Sequence, residues 1–277
     1  MNIGYLGPEG TFSQIAADKY VESLKSGANK TTAFSRISDV LEAVNNGEID
    51  EGVVPFENSI EGTVNYTLDT LISDVDIYIK KEIIIPISHN LMTRPECVGK
   101  KPEKIFSHPQ SLAQCRKYLL KNYPDVETVQ VLSNSEAARI VKESGKNYYA
   151  ISTLLASQIY ALDITEKDIQ DAETNVTRFF VVTRDKSALD LDGKTSLVFS
   201  TEHKPGSLYR VLDILAIWDI NLTKIESRPM KDCFGKYVFY IDFECNDKND
   251  RQEAMRMLKR KTDFFKFLGT YNEITTY

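Results

Sequence analysis

The sequence predicts an α/β fold: two lobes in which strands and helices alternate, followed by a smaller βαββαβ unit. Three observations carry this. Short apolar runs ending at glycine or proline alternate with segments whose apolar residues fall at helical spacing. The alternation starts again near Lys104, and past the polar stretch Asp185–Lys194 the order of elements changes. Repeated βα units imply mainly parallel sheets faced by helices.

Asn2–Leu6 is a short apolar run ending at Gly7, as a buried strand does, and Thr11–Leu24 carries Phe12, Ile15, Ala16 and Tyr20 at helical spacing. Ala33–Phe34 ends a second strand, and Ser38–Asn46 is a helix stopped by Gly47. Glu51–Pro55 is a third strand whose proline sets its end at a loop. Thr63–Ile72 has helical spacing, and Ile77–Ser88 is a longer extended stretch suited to crossing between lobes. Lys104–Ser107 restarts the pattern as a strand, followed by a helix over Gln110–Asn122 closed by Tyr123-Pro124. Val126–Leu132 is a strand, with Ser133 and Ser135 both candidate caps for a helix over Glu136–Glu143. Tyr148–Ile151 is a strand, Thr153–Tyr160 a helix, and the apolar run Val176–Thr183 a strand returning to the first lobe. The lobes are expected at about 1–80 plus 175–185 and at 81–174, leaving a cleft between them suited to a small ligand.

The polar stretch Asp185–Lys194, with Asp192-Gly193 inside it, is the domain boundary, between a unit over 1–185 and one over 195–274. Thr195–Thr201 then reads as a strand, and Pro205–Trp218 as an amphipathic helix with Leu208, Val211, Leu212, Leu215 and Trp218 on one side. Asn221–Ser227 is a strand, residues 237–243 alternate as another, Lys248–Arg260 is a helix and Phe267–Glu273 the last strand. This order over 195–274 is the split ferredoxin-like motif.

Composition excludes several function classes. A formal charge of -6 argues against a nucleic-acid partner, which needs a dominant basic face. An anionic substrate would therefore need a local positive pocket. Apolar runs such as Ile83–Ile87 are too short to cross a bilayer, so no membrane association is expected. Met1–Tyr5 lacks the basic start of a secretion signal, which points to a cytoplasmic location. Cys97, Cys115, Cys233 and Cys245 lie far apart without a CxxC, so free thiols are expected. The three histidines fall in separate segments, which argues against a metal site. Gly4, Gly7 and Gly10 do not space as GxGxxG, and no P-loop lysine follows, so no cofactor is expected.

Four segments combine polar chemistry with a strand end. Gly7–Ser13 is a tight turn delivering a helix N-terminus, where exposed N–H groups favour an anion; an ordinary capped βα turn is the alternative. Pro55–Thr63 sets amide, hydroxyl and carboxylate groups behind an apolar strand, and Ser59 or Thr63 acting only as a helix cap is equally open. Ser107-His108-Pro109-Gln110-Ser111 takes the same place in the second lobe, though proline at a helix start is common structure. Asn175–Val182 puts three polar residues at the entry to a very apolar strand. Alternation there sends Thr177 and Phe179 to one side and Arg178 to the other. An arginine beside such a run needs a bound anion or a carboxylate partner at the sheet end.

In their order, Gly7–Ser13, Val54–Gly62, Ser107–Gln114 and Asn175–Phe179 resemble the catalytic region of prephenate dehydratases, over residues 1 to about 185. The resemblance implies two α/β subdomains like type II periplasmic binding proteins, and conversion of prephenate to phenylpyruvate, water and carbon dioxide in phenylalanine biosynthesis. With the first motif at Gly4, no fused chorismate mutase is expected upstream. Lys204–Tyr209 and Ile225–Pro229 resemble the two ligand loops of a phenylalanine-sensing ACT domain. Here Ser207 replaces a usual alanine, His203 a frequent asparagine, and Gly269-Thr270-Tyr271-Asn272 a usual Gly-Ser-Tyr-Pro.

What the resemblance implies for the site is specific. Thr177 would donate a hydrogen bond or proton to the leaving hydroxyl, and Arg178 would pair with a substrate carboxylate. Glu57 would orient Arg178 or be held by donors, and Gln110 would join the catalytic group. Gly10, Thr11, Asn58, Ser59, Thr63, Ser107 and His108 would bind substrate. His203, Gly206, Ser207, Leu208, Glu226, Ser227, Arg228 and Pro229 would bind L-phenylalanine as allosteric effector in a homodimer or homotetramer. Arogenate dehydratase is the nearest alternative enzyme, and a non-catalytic sensor of a carboxylate ligand the alternative outside enzymes.

Overall fold

The structure, a computed structural model, describes residues 1–24, 28–230 and 236–274. The first lobe contains β1 (Asn2–Leu6), α1 (Phe12–Ser23), β2 (Lys30–Phe34), α2 (Ile37–Asn46), β3 (Glu51–Asn58), β4 (Gly62–Thr63), α3 (Asn65–Ser73) and β5 (Tyr78–Pro86). The second contains β6 (Asn90–Thr93), β7 (Lys104–Ser107), α4 (Pro109–Gln114), α5 (Arg116–Asn122), β8 (Glu127–Gln130), α6 (Asn134–Glu143), β9 (Tyr148–Ser152), α7 (Leu154–Tyr160) and β10 (Asp163–Glu166). Strand β11 (Val176–Thr183) then returns to the first lobe. The C-terminal unit contains β12 (Lys194–Ser200), α8 (Ser207–Ile217), β13 (Asn221–Pro229), β14 (Tyr237–Glu244), α9 (Lys248–Lys261) and β15 (Phe264–Ile274).

The first-lobe sheet runs β5-β11-β3-β1-β2 and the second-lobe sheet β10-β6-β9-β7-β8. In each, parallel strands are joined by helices, and the returning strand is inserted antiparallel. Two such lobes with two crossings form the type II periplasmic-binding-like architecture. The cause is local: Thr11, Ser133 and Thr153 each accept a backbone N–H three residues on, starting α1, α6 and α7 at strand ends. Of the two candidate serines, Ser133 is the cap of α6, while Ser135 donates to the carbonyl of Glu9 in the other lobe.

Several boundaries differ from expectation. Strand β5 pairs with β11 as far as Pro86, so the crossing falls at Ile87–His89 and not at residue 80. Strand β3 continues through Pro55 to Asn58. Arg178 pairs with Glu57 and Phe179 with Pro55, so Phe56 is an extra residue, a β-bulge. Pro55 lies past Val53, where pairing with β1 ends, so its missing N–H breaks no ladder there. The helix expected over Gln110–Asn122 is broken at the buried Cys115 into α4 and α5. Gly62-Thr63 pairs with β3, which delays α3 to Asn65. Cys97, Cys115 and Cys245 are free, and Cys233 lies outside the described residues. No helix among the described residues is long and apolar enough to cross a membrane.

The C-terminal sheet, ordered β13-β14-β12-β15, is antiparallel with α8 and α9 packed on one face, the ferredoxin-like arrangement. Its other face joins the first lobe. Val198, Val238, Tyr240, Leu268 and Tyr271 share one apolar cluster with Phe56, Leu68, Leu71, Ile79 and Phe180. The end of β15 pairs in parallel with β5, Asn272 to Ile274 against Lys81 to Ile83, so the two sheets run on into one another.

Candidate active site

The cleft between the lobes encloses about 950 Å³ and is walled by the ends of β1, β2, β3 and β11 and the starts of α1, α4 and α6. Thr11, Asn58, Thr63, His108, Gln110 and Thr177 all line it. The lobes touch beside it, where Thr153 Oγ1 donates to the Gly10 carbonyl at 2.6 Å. Gly10 has φ +85, and a Cβ there would meet Ser135 Oγ at 2.8 Å and Ala156 at 3.2 Å. The left-handed backbone and the close approach both require glycine.

Thr177 stands at the start of β11 with 9% exposure. Asn58 Nδ2 lies 2.9 Å from Thr177 Oγ1 and 2.8 Å from Asn175 Oδ1. Asn58 Oδ1 accepts the backbone N–H groups of Ile60 and Glu61 at 3.0 and 3.1 Å, which fixes the orientation of the amide. Asn58 therefore donates and Thr177 accepts, leaving the threonine proton free to point into the cleft.

Several expected site residues lie elsewhere. Arg178 faces the C-terminal unit, as alternation along β11 requires. Its guanidinium donates to Glu82 at 2.6 Å, Asp242 at 2.6 Å and the Tyr271 hydroxyl at 2.9 Å, and stacks over Phe180. The carboxylate partners assumed to be substrate are thus the protein's own. Glu57 follows it to this seam, taking Lys224 Nζ at 2.6 Å with Arg178 at 3.8 Å. Burial, then Asp242, pushes the Tyr240 phenol well above its ordinary range, and Tyr271 likewise, so both stay protonated. Ser59 is exposed off the cleft and braces β11, accepting from Val176 N–H at 3.0 Å. Ser107 is fully buried under the second lobe, donating toward Ile151 O at 2.8 Å. Gly10 acts through the lobe contact rather than on the wall. Thr63 is on the wall, but its hydroxyl is taken by Glu226 and Lys224.

Other residues complete the cleft. Gln114 follows Gln110 by one helical turn and lines it beside His89. Asn134 Oδ1 accepts from His108 N–H and Ser111 at 3.2 and 2.9 Å, which turns its amino group away from them. Arg139, half-exposed and paired with Glu143 at 2.8 Å, is the one Lys or Arg on the wall among the described residues. Ser133 beside Asn134 had been legible only as a cap, and Arg139 carries no local signal in sequence. The first turns of α1 and α6 face the cleft from opposite lobes, and their leading N–H groups have no intrahelical partner. Each end favours an anion by about 0.3–1 kcal/mol. His108 is half-buried, and burial lowers its pKa against the opposing pull of Glu61.

Of the expected effector residues, Glu226 and Arg228 turn toward the first lobe: Glu226 meets Thr63, and Arg228 grips Asp69 with two bonds of 3.0 Å. Ser227 and Pro229 are exposed on the other side of the same edge strand, and Leu208 packs half-buried on the C-terminal core. His203 and Gly206 are exposed and Ser207 half-exposed, in the turn leaving β12 at the same end of the sheet.

Fold and site together define a two-lobed α/β protein whose cleft presents amide, hydroxyl and helix-end donors to a small anionic ligand. The sequence profile of the family described as prephenate dehydratase matches residues 3–187. The prephenate dehydratase of Methanocaldococcus jannaschii is 40% identical over 96% of this chain and 96% of its own. The bifunctional chorismate mutase/prephenate dehydratase of Aquifex aeolicus is 40% identical over 98% of this chain and 73% of its own. The structure of a prephenate dehydratase from Arthrobacter aurescens in complex with L-Phe superposes with a TM-score of 0.87 at 32% identity, covering 98% of this chain and 90% of that one. The chain belongs to the prephenate dehydratase family.

Proposed function

We propose that this chain converts prephenate to phenylpyruvate, water and carbon dioxide, and that its C-terminal unit is an ACT domain through which L-phenylalanine regulates it. One observation carries the catalytic reading: Thr177 Oγ1 accepts from Asn58, so its proton is directed at the cleft. The electron pair of the breaking carbon–carboxylate bond moves into the ring and expels the ring hydroxyl, which takes up one proton and leaves as water. Aromatisation supplies the driving force. A threonine hydroxyl is a weak acid, so its part is to polarise the departing oxygen, a form of assistance worth about 10²–10⁴-fold. The two substrate carboxylates are met by the first turns of α1 and α6 and by Arg139, in place of Arg178.

The regulatory reading is supported by the strand that bears the effector motif. Strand β13 presents Ser227 outward and Glu226 inward to Thr63 on the cleft wall, so an effector held at the Gly206–Leu208 turn would act on the cleft through one strand. Pairing of two such units in a homodimer or homotetramer would place that turn at an interface. The test is turnover of prephenate beside arogenate, with and without L-phenylalanine, for wild type, Thr177→Ser and Thr177→Ala. Serine should keep most activity, and alanine should lose about two orders of magnitude in kcat with little change in KM. An alanine variant as fast as wild type removes the assignment of Thr177, and an unchanged velocity with L-phenylalanine removes the regulatory one.

A further inference from the structure

We infer that His89 is a positioning residue of the cleft: as a neutral imidazole protonated on Nε2, it holds the Gln114 side chain with its amino group turned toward the ligand. The inference deepens the dehydratase reading and rests on it. His89 follows β5 at the first crossing between lobes and is 1% exposed on the cleft wall. Its main chain is pinned on both sides, the N–H donating to Gln170 Oε1 and the carbonyl accepting from Ile169, each at 2.9 Å.

The polarity of the chain leading to it is determined from the other end. Backbone N–H groups of Ile60 and Glu61 occupy Asn58 Oδ1, so Asn58 presents its amino group to Asn175 Oδ1 at 2.8 Å. Asn175 must then present its own amino group to Gln114 Oε1, at 3.0 Å. The same oxygen lies 2.9 Å from His89 Nε2, which donates to it. Among the described residues His89 Nδ1 is buried without a partner, and the Phe12 ring packs edge-on against the imidazole at 5.8 Å. A second N–H at Nδ1 would find no acceptor there, so neither the other tautomer nor the cation fits. With two donors on its oxygen, Gln114 has one orientation, and its amino group is left for the cleft. The tie joins β5's end, the second lobe and the second crossing to Asn58 and Thr177.

A buried histidine that only fills space at a hinge makes a different forecast, and two variants separate them. His89→Phe keeps a ring without a donor, while His89→Gln keeps an amide N–H near the Nε2 position. On prephenate, His89→Phe should lose roughly tenfold or more in kcat/KM and His89→Gln should recover most of it. A space-filling role predicts the opposite ranking; equal loss in both variants, or none in His89→Phe, overturns the inference. Nitrogen NMR of the wild-type imidazoles, only three in this chain, gives a readout independent of activity and of how the variants fold. A neutral Nε2–H form at pH near 7 is expected for His89; an Nδ1–H or cationic ring overturns the inference. Wild type that turns over no prephenate would fail the dehydratase reading, while the tautomer would still stand or fall by the spectrum.

Discussion

Thr177 and Arg178 are chain neighbours that belong to different surfaces, because successive side chains on a strand point to opposite faces. Thr177 offers a proton to the cleft only while Asn58 keeps its amino group on the threonine oxygen. Asn58→Asp is nearly isosteric but exchanges that donor for an acceptor, which would draw the threonine proton away from the ligand. It should lower kcat by roughly tenfold to a hundredfold with a smaller change in KM, measured by steady-state kinetics. A second expectation concerns His89. Burial lowers its pKa below the ordinary 6.5, opposed by the bond to Gln114. Unfolded chains thus bind more protons than folded ones in acid, so this group's contribution is fully present above about pH 6.5 and lost as pH falls through the folded pKa. In urea titrations at about pH 7.5 and 5.5, His89→Phe should lose less stability on acidification than wild type; an equal loss would refute the linkage.

At the scale of elements, the seam between β11, β5 and the C-terminal sheet is held by buried charge. The Arg178 side chain is 12% exposed, while Glu82 and Asp242 are 3% and 1% exposed. Lys194 also reaches Glu82, at 2.7 Å, and Ser196 donates to Asp242 at 2.5 Å. Arg178→Met would leave two carboxylates buried without their main counter-ion, and should cost about 3–5 kcal/mol in urea denaturation. The Arg228–Asp69 pair is more exposed, at 23% and 31%, so Arg228→Ala should cost about 1 kcal/mol or less. Equal costs would show that the seam is not the dominant tie. The bulge at Phe56 belongs here too. It turns Phe56 into the shared apolar cluster, stacked at 4.2 Å on Phe180, while Asn58 still reaches Thr177.

For the whole molecule, the continuous sheet and the shared core predict that the C-terminal unit and first lobe unfold together. Trp218, the sole tryptophan, sits at the end of α8 against the C-terminal core, so its fluorescence reports that unit alone, whereas far-ultraviolet circular dichroism reports the whole chain. The two urea transitions should coincide. A fluorescence transition at clearly lower denaturant would show that the units are only loosely joined.

Much of this was legible in the chain itself. Helical spacing, strand-end glycines and cap residues located most elements, because those signals are local. The motif order identified the family, and the alternation at Thr177-Arg178 already placed the two side chains on opposite faces. What local pattern leaves open is which face meets the cleft and which meets another domain. That is set by pairing across long sequence separations: β15 beside β5, and Asp242 and Tyr271 over Arg178. Tertiary packing alone therefore decided that Arg178 and Glu57 hold domains together, that Ser59 and Ser107 brace strands, and that His89, Gln114 and Asn134 face the ligand space. A buried charge or amide takes the partner that the fold brings within reach, and that partner is remote in the chain.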